Sequence, residues 1–267
     1  MKPAALLSLS LLFACSSEDK DASTDTGANE TGLEDTAPPA DPVTMKAFFE
    51  DGLTGAALKK ADVCIEQPVV EGDTCFQTNN KGILNWTWEE PKKSNFVLTF
   101  ELEDYMNTVF SGRYAEDIAA MWAEEIAQLG YVELVYSTFK RSDVQGVLSS
   151  GGITMDTSAG HVLLNLVTPN GFPVSNVAVS LSDTDGNPVG QVNYFNSTMS
   201  GLDSSLNATS STGATVITNI EPGDHVLTLD AGTRTCTPWF AWNSDVPNEA
   251  QVPVRADAMT RTGLVCE

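Results

Sequence analysis

The chain has 267 residues, enough for one large domain or two small ones, and 42% of them are hydrophobic. Its formal net charge is −22, from 14 Lys and Arg against 36 Asp and Glu. Such a balance repels nucleic acid, whose phosphates need a basic surface, and it opposes docking by charge onto anionic lipid. It permits cation binding without specifying it, and it favours solubility.

The first residues read MKPAALLSLSLLFAC. Lys2 supplies a minimal positive start. The apolar stretch from Ala4 to Ala14 is far short of the roughly 20 residues a spanning helix needs. It ends in Leu12-Phe13-Ala14-Cys15, which resembles the lipobox of bacterial lipoprotein signal peptides. The resemblance implies that residues 1–15 are a signal peptide ending at a lipidated Cys15, with acyl chains such as palmitate. Two or three such chains make a stable membrane anchor. Ser16 after the cysteine implies the outer membrane, on its periplasmic face or at the cell surface. Residues 16–43 form the next segment. Through Pro42 it holds eight acids, one base and a single large apolar residue, Leu33. It cannot bury enough surface to offset chain entropy, and its charges repel one another, so it is expected to be a disordered, extended tether.

Residues 44–112 are expected to form a first β-sandwich. Ala61-Val63-Ile65 alternate as in a half-buried strand, after a turn at Gly55. A strand, a polar turn closing at Gly82 and another strand follow. Trp86 lies on the inward face of that strand. Residues 113–158 have another texture and are read as a helix-containing connector. From Ala115 to Leu129, Ile118, Trp122, Ile126 and Leu129 share one helical face, and Gly130 ends the helix. Residues 131–139 alternate like a strand, and Ser142 is positioned to cap a short helix through Ser149.

Residues 159–267 repeat the first pattern. NGFPVSNVAVSL (170–181) matches TGAALKKADVCI (54–65), and LNATSSTGATVITN (206–219) matches CFQTNNKGILNWTW (75–88). The second copy resembles the carboxypeptidase regulatory-like domain, a transthyretin-like β-sandwich. The motif residues are Gly171, Pro173, Val174, Val177, Val179, Thr209, Gly213, Ile217, Ile220, Pro222 and Gly223. The first copy departs from the pattern at Ala57, Lys92 and Asp104-Tyr105. The expected fold class is therefore all-β: two Ig-like or transthyretin-like sandwiches, a short helical connector and a disordered tether. These motifs shape turns and cores, and such a fold hosts many functions.

Besides Cys15 the chain has Cys64, Cys75, Cys236 and Cys266, which allow three pairings. The spacing favours Cys64 with Cys75 and Cys236 with Cys266, in an oxidising compartment. Free buried thiols are the alternative. His161 and His225 sit in no metal-hydrolase spacing, and no G-x-S-x-G elbow occurs. No catalytic residue, metal ligand or cofactor is assigned, and the resemblance to transthyretin-like hydrolases stops short of their chemistry. Asp183 to Asn187 faintly resembles a calcium loop, but Tyr194 stands where the ligand Glu belongs, and a hairpin turn fits better. Trp239, Phe240 and Trp242 lie in a polar stretch. Exposed aromatics of this kind stack on sugars or anchor a protein, which makes the three possible ligand-binding residues, but a loop folded over a sandwich edge fits the stretch better. The expected function is a non-enzymatic, membrane-anchored binding or scaffolding module of the envelope. Its partner is an unidentified protein or glycan, with no nucleic acid. A carbohydrate-binding accessory lipoprotein and a hydrolase with an unrecognised site are the alternatives.

Overall fold

The computed structural model describes residues 43–67, 74–88, 96–112, 122–242, 244 and 246–267. The leader, Cys15 and the acidic segment through Pro42 lie outside the described residues.

Alternation sets the first strand. In β1 (Val43–Asp51), Val43, Met45, Ala47 and Phe49 are buried and the residues between them are not. β1 is the centre of a three-stranded sheet, antiparallel to β4 (Ile83–Trp88) and parallel to β7 (Val132–Thr138). Facing it are β2 (Asp62–Gln67), β5 (Phe96–Glu101) and β6 (Asn107–Gly112), with the short β3 (Cys75–Gln77) outside β2. Phe49 is the centre of the core between them. Its ring lies 5.6 Å from Phe100, 6.2 Å from Phe110 and 5.3 Å from Tyr136. Trp86 is buried, as its register requires, and stacks on Phe96.

The second copy has the same plan. β8 (Gly160–Val167) pairs antiparallel with β11 (Ala214–Ile220) and parallel with β15 (Ala258–Cys266), and β10 (Gln191–Tyr194) lies beyond β11. The facing sheet is β9 (Ala178–Ser182), β12 (Gly223–Asp230) and β14 (Glu249–Val254). β13 (Cys236–Pro238) pairs with β15. Hydrogen bonds fix the correspondence residue by residue. Phe49 N–H donates to Gly82 and Leu58 N–H to Phe49; Leu166 N–H donates to Gly213 and Val174 N–H to Leu166, all at 2.8–2.9 Å. Gly82 and Gly213 both have positive φ, and a Cβ there would meet the Phe49 or Leu166 carbonyl at 2.7 or 2.5 Å. One buried threonine clasps each copy. Thr78 donates to the Leu58 carbonyl and accepts from the Ala61 amide. Thr209 does the same with Val174 and Val177. Each hydroxyl satisfies two buried backbone groups that would otherwise cost roughly 1–3 kcal/mol apiece.

The copies meet inside one sheet. β6 pairs parallel with β15, Asn107 to Phe110 against Ala258 to Arg261. This joins the β2–β5–β6 sheet of the first copy to the β11–β8–β15 sheet of the second, giving a nine-stranded sheet of eight strands in a row with β13 paired to β15 off that row. Cross-strand partners share a face. Phe110, which faces the first core, therefore shares its face with Arg261 and Leu163, whereas Leu164 and Leu264 of the second core point the other way. The two three-stranded sheets consequently cover opposite faces of the common sheet.

The segment expected to be a connector is part of this architecture. It supplies β7, so the first unit extends through Thr138, past the boundary expected at 112. Helix α1 (Ala123–Leu129) ends at left-handed Gly130, as expected; residues 115–121 of the expected helix lie outside the described residues. Trp122 and Ile126 pack on the first core, but Leu129 is 51% exposed, because the helix has turned away from the core by its last residue. Helix α2 (Arg141–Ser150) begins one residue earlier than expected. Ser142 does not cap it; Lys140 holds the cap position without a side-chain bond. α2 and the segment after it cover the free face of the second copy, placing Val144, Val147, Leu148 and Ile153 against Leu163, Val216 and Met259. Strand β8, covered on both faces, accordingly reads GHVLLNLV, a near-continuous apolar run.

Candidate functional site

The junction between the copies gathers most of the chemistry-bearing side chains. On one face, Trp242 reaches across from the second copy. Its backbone exchanges both hydrogen bonds with Gln251 of β14, and its indole Nε1 donates to the Phe96 carbonyl of β5 at 3.2 Å. The ring packs with Val97, Val109 and Ala258 and is 3% exposed. Trp242 therefore drops out of the possible ligand-binding aromatics: it is a clamp between the copies and presents no face for stacking on a ligand, in keeping with the folded-over loop. The loop folds over the sheet instead of standing out from it.

Trp239 and Phe240 remain half-buried at the surface. Both backbone amides donate to the Gly263 carbonyl, and the two rings lie 5.7 Å apart at 42°.

Beside the junction an open cleft of about 590 Å³ is lined by Asp62, Glu101, Glu103 and Asp104 and by an ion pair of Arg141 with Asp257. The guanidinium grips the carboxylate with two bonds, at 2.7 and 3.0 Å. It ties the start of α2 to the turn before β15. Tyr105, also in the cleft, donates to Asp51 at 2.8 Å. Burial raises the Asp51 pKa, but the bonds from Tyr105, Thr54 and Leu53 outweigh it and hold the carboxyl below its usual range. Burial and the Asp51 charge push Tyr105 up to about 12. Arg261 lies against the far end of β7. It donates to the Ser137 carbonyl at 2.7 Å and rests over the Phe139 ring, and burial lowers its pKa to about 10. Sequence reasoning missed this arginine and the Arg141–Asp257 pair, because their partners lie more than a hundred residues away.

Both disulfides join the cysteines that the spacing favoured. Cys64 bonds Cys75 across β2 and β3, and Cys236 bonds Cys266 across β13 and β15. The Asp183 turn satisfies its carboxylate internally: Oδ1 accepts the amides of Asp185 and Asn187, and Oδ2 accepts the Asn187 side chain. Among the described residues, no group of three or more His, Cys, Asp and Glu is placed to hold a metal ion. His225 donates through Nε2 to the Glu221 carbonyl and braces the turn before β12.

No family model and no curated protein sequence matches the chain. Solved structures of bacterial proteins do align with it. The Bacillus anthracis TIE protein aligns at 8% identity and a TM-score of 0.28, over 85% of this chain and 34% of that one. The minor pilin GBS52 of Streptococcus agalactiae aligns at 12% and 0.27, over 84% and 96%. The shaft pilin SpaA of Lactobacillus rhamnosus GG aligns at 7% and 0.26, over 85% and 98%. This chain thus spans about a third of the first protein and nearly all of the other two.

Proposed function

We propose that the chain is a non-enzymatic module of the cell envelope, held to the outer membrane by lipid on Cys15 and binding or scaffolding an extracellular partner. The observation that carries this reading is the shared sheet. The β6–β15 ladder and the Trp242 clamp make two sandwiches one stiff body that presents its loops at fixed separation. The charged side chains at the junction pair with one another in ways that hold this body together: Arg141 with Asp257, and Arg255 with Glu66. The acidic segment before Val43 gives the body reach from the bilayer. Cys15→Ser is expected to abolish fatty-acid labelling and shift the protein out of the membrane fraction. Equal labelling of both forms would end the anchoring reading. Reproducible turnover of an ester, peptide or glycoside by the purified chain would overturn the non-enzymatic one.

A second reading rests on the Trp239–Phe240 ring pair, an aromatic surface on a backbone pinned to β15. Carbohydrate rings stack on such surfaces. If this is the site, a glycan array probed with the chain shows binding that Trp239→Ala reduces at least tenfold. Binding unchanged in Trp239→Ala and Phe240→Ala removes the pair from the site.

A further inference from the structure

His161 and His225 are the two histidines of the chain. His161 stands on β8, opposite Met259 of β15, on the face that the connector covers. It is 0% exposed. Its Nδ1 accepts the Asn219 amide at 3.4 Å, so the proton of the neutral ring resides on Nε2. Nε2 is buried and has no partner among the described residues. Asn219 itself holds a left-handed backbone, φ 56°, at the bulge where the β8–β11 register shifts.

Three charged groups act on this ring. Asp257 lies on the turn before β15, Arg141 at the start of α2, and Asp156 in the loop after α2. Its sheet neighbours Asn219 and Met259 carry no charge. Asp257, which favours a charged ring more than Asp156 does, is held in the two-bond grip of Arg141. Burial lowers the histidine pKa; Asp257 and Asp156 raise it, Arg141 lowers it further, and the net shift is downward.

We propose that His161 is an acid-sensitive latch that holds the connector against the second copy. Protonation turns Nδ1 into a donor facing the Asn219 donor, and adds a cation to a buried site that the Arg141 charge already disfavours. Relief comes when α2 and the loop after it lift from β8 and β11, which admits water to the ring. The sign follows from linkage. The closed state binds the proton less readily than the open state, so closure is fully favoured above about pH 6.5 and weakens as pH falls toward the lower folded value. Opening uncovers Leu163, Phe195, Val216 and Met259, an apolar surface that the neutral form keeps covered.

The test uses the full chain carrying Cys15→Ser, which keeps it off lipid. Amide exchange of residues 141–150 and 218–220, corrected for intrinsic rates, is followed from pH 7 to pH 5. Opening is expected to rise by up to about tenfold per pH unit below pH 6.5, and to stay flat in His161→Gln. An equal rise in His161→Gln, or none in the parent chain, overturns the latch. Should His161→Gln fail to fold, the imidazole resonances of the parent chain decide, with His225→Gln assigning the pair. A His161 resonance that titrates below the ordinary range together with loss of α2 protection supports the proposal. One that titrates at about pH 6.5 with α2 protection unchanged rejects it.

Discussion

Trp242→Ala should lower the unfolding free energy of the chain by roughly 3–5 kcal/mol, the range for removing a buried tryptophan. The ring is almost wholly covered, and its packing partners come from both copies. Its indole also satisfies the Phe96 carbonyl, which would be left without that donor at the centre of the clamp. Trp242→Phe separates the two effects. It keeps most of the packing and forfeits the hydrogen bond, for a cost of roughly 1–3 kcal/mol. Urea unfolding followed by circular dichroism and by tryptophan fluorescence measures both. The alanine variant should also lose coincidence between the two probes, because the copies then unfold less tightly coupled. A loss below about 1 kcal/mol with a single shared transition would show that the β6–β15 ladder alone joins the copies.

The second large effect belongs to Cys236–Cys266. Replacing both cysteines by alanine is expected to cost roughly 3–4 kcal/mol on the chain-entropy estimate, against roughly 3 kcal/mol for Cys64–Cys75, whose loop is shorter. The sequence separations of the two bonds are 30 and 11 residues. Burial widens the difference. Cys236 and Cys266 belong to the second core, whereas Cys75 is exposed on an edge strand, so alanine leaves a void at Cys236–Cys266 only. Mild reductant should open Cys64–Cys75 first, as peptide mapping after timed alkylation would reveal. Simultaneous reduction of both bonds, or the reverse order, would contradict the burial argument.

How much of this could be read in the sequence follows from the range of the interactions. The duplicated turns were legible because Gly82, Gly213, Thr78 and Thr209 act on backbone groups within one copy, and their spacing recurs. Both disulfides were legible for a similar reason: each joins cysteines a short way apart along the chain. The parallel β6–β15 junction was not legible. It pairs residues about 150 apart, and β-strand patterning carries no record of which neighbour an edge will meet. That the aromatic loop folds over a sandwich edge was legible, but the clamp made by Trp242 was not, because its partners lie in the other copy. The role of β7 was hidden by its position after a helix, although its alternating pattern identified it as a strand. Ser142 has the chemistry of a cap, but the helix begins at Arg141, whose side chain is held by Asp257 from outside the segment. Of the aromatic stretch, the residue types were informative and their exposure was not.

The position of β1 has a mechanical consequence. Whatever pulls on the residues before Val43 pulls along the axis of a central strand, with β4 on one side and β7 on the other. Ladder hydrogen bonds run across the strands, so a tug along β1 strains all of them together and cannot open them one at a time from an end. The attachment therefore resists shear with two ladders in concert, and the point where the chain enters β1 is among the places where the folded body is hardest to tear open.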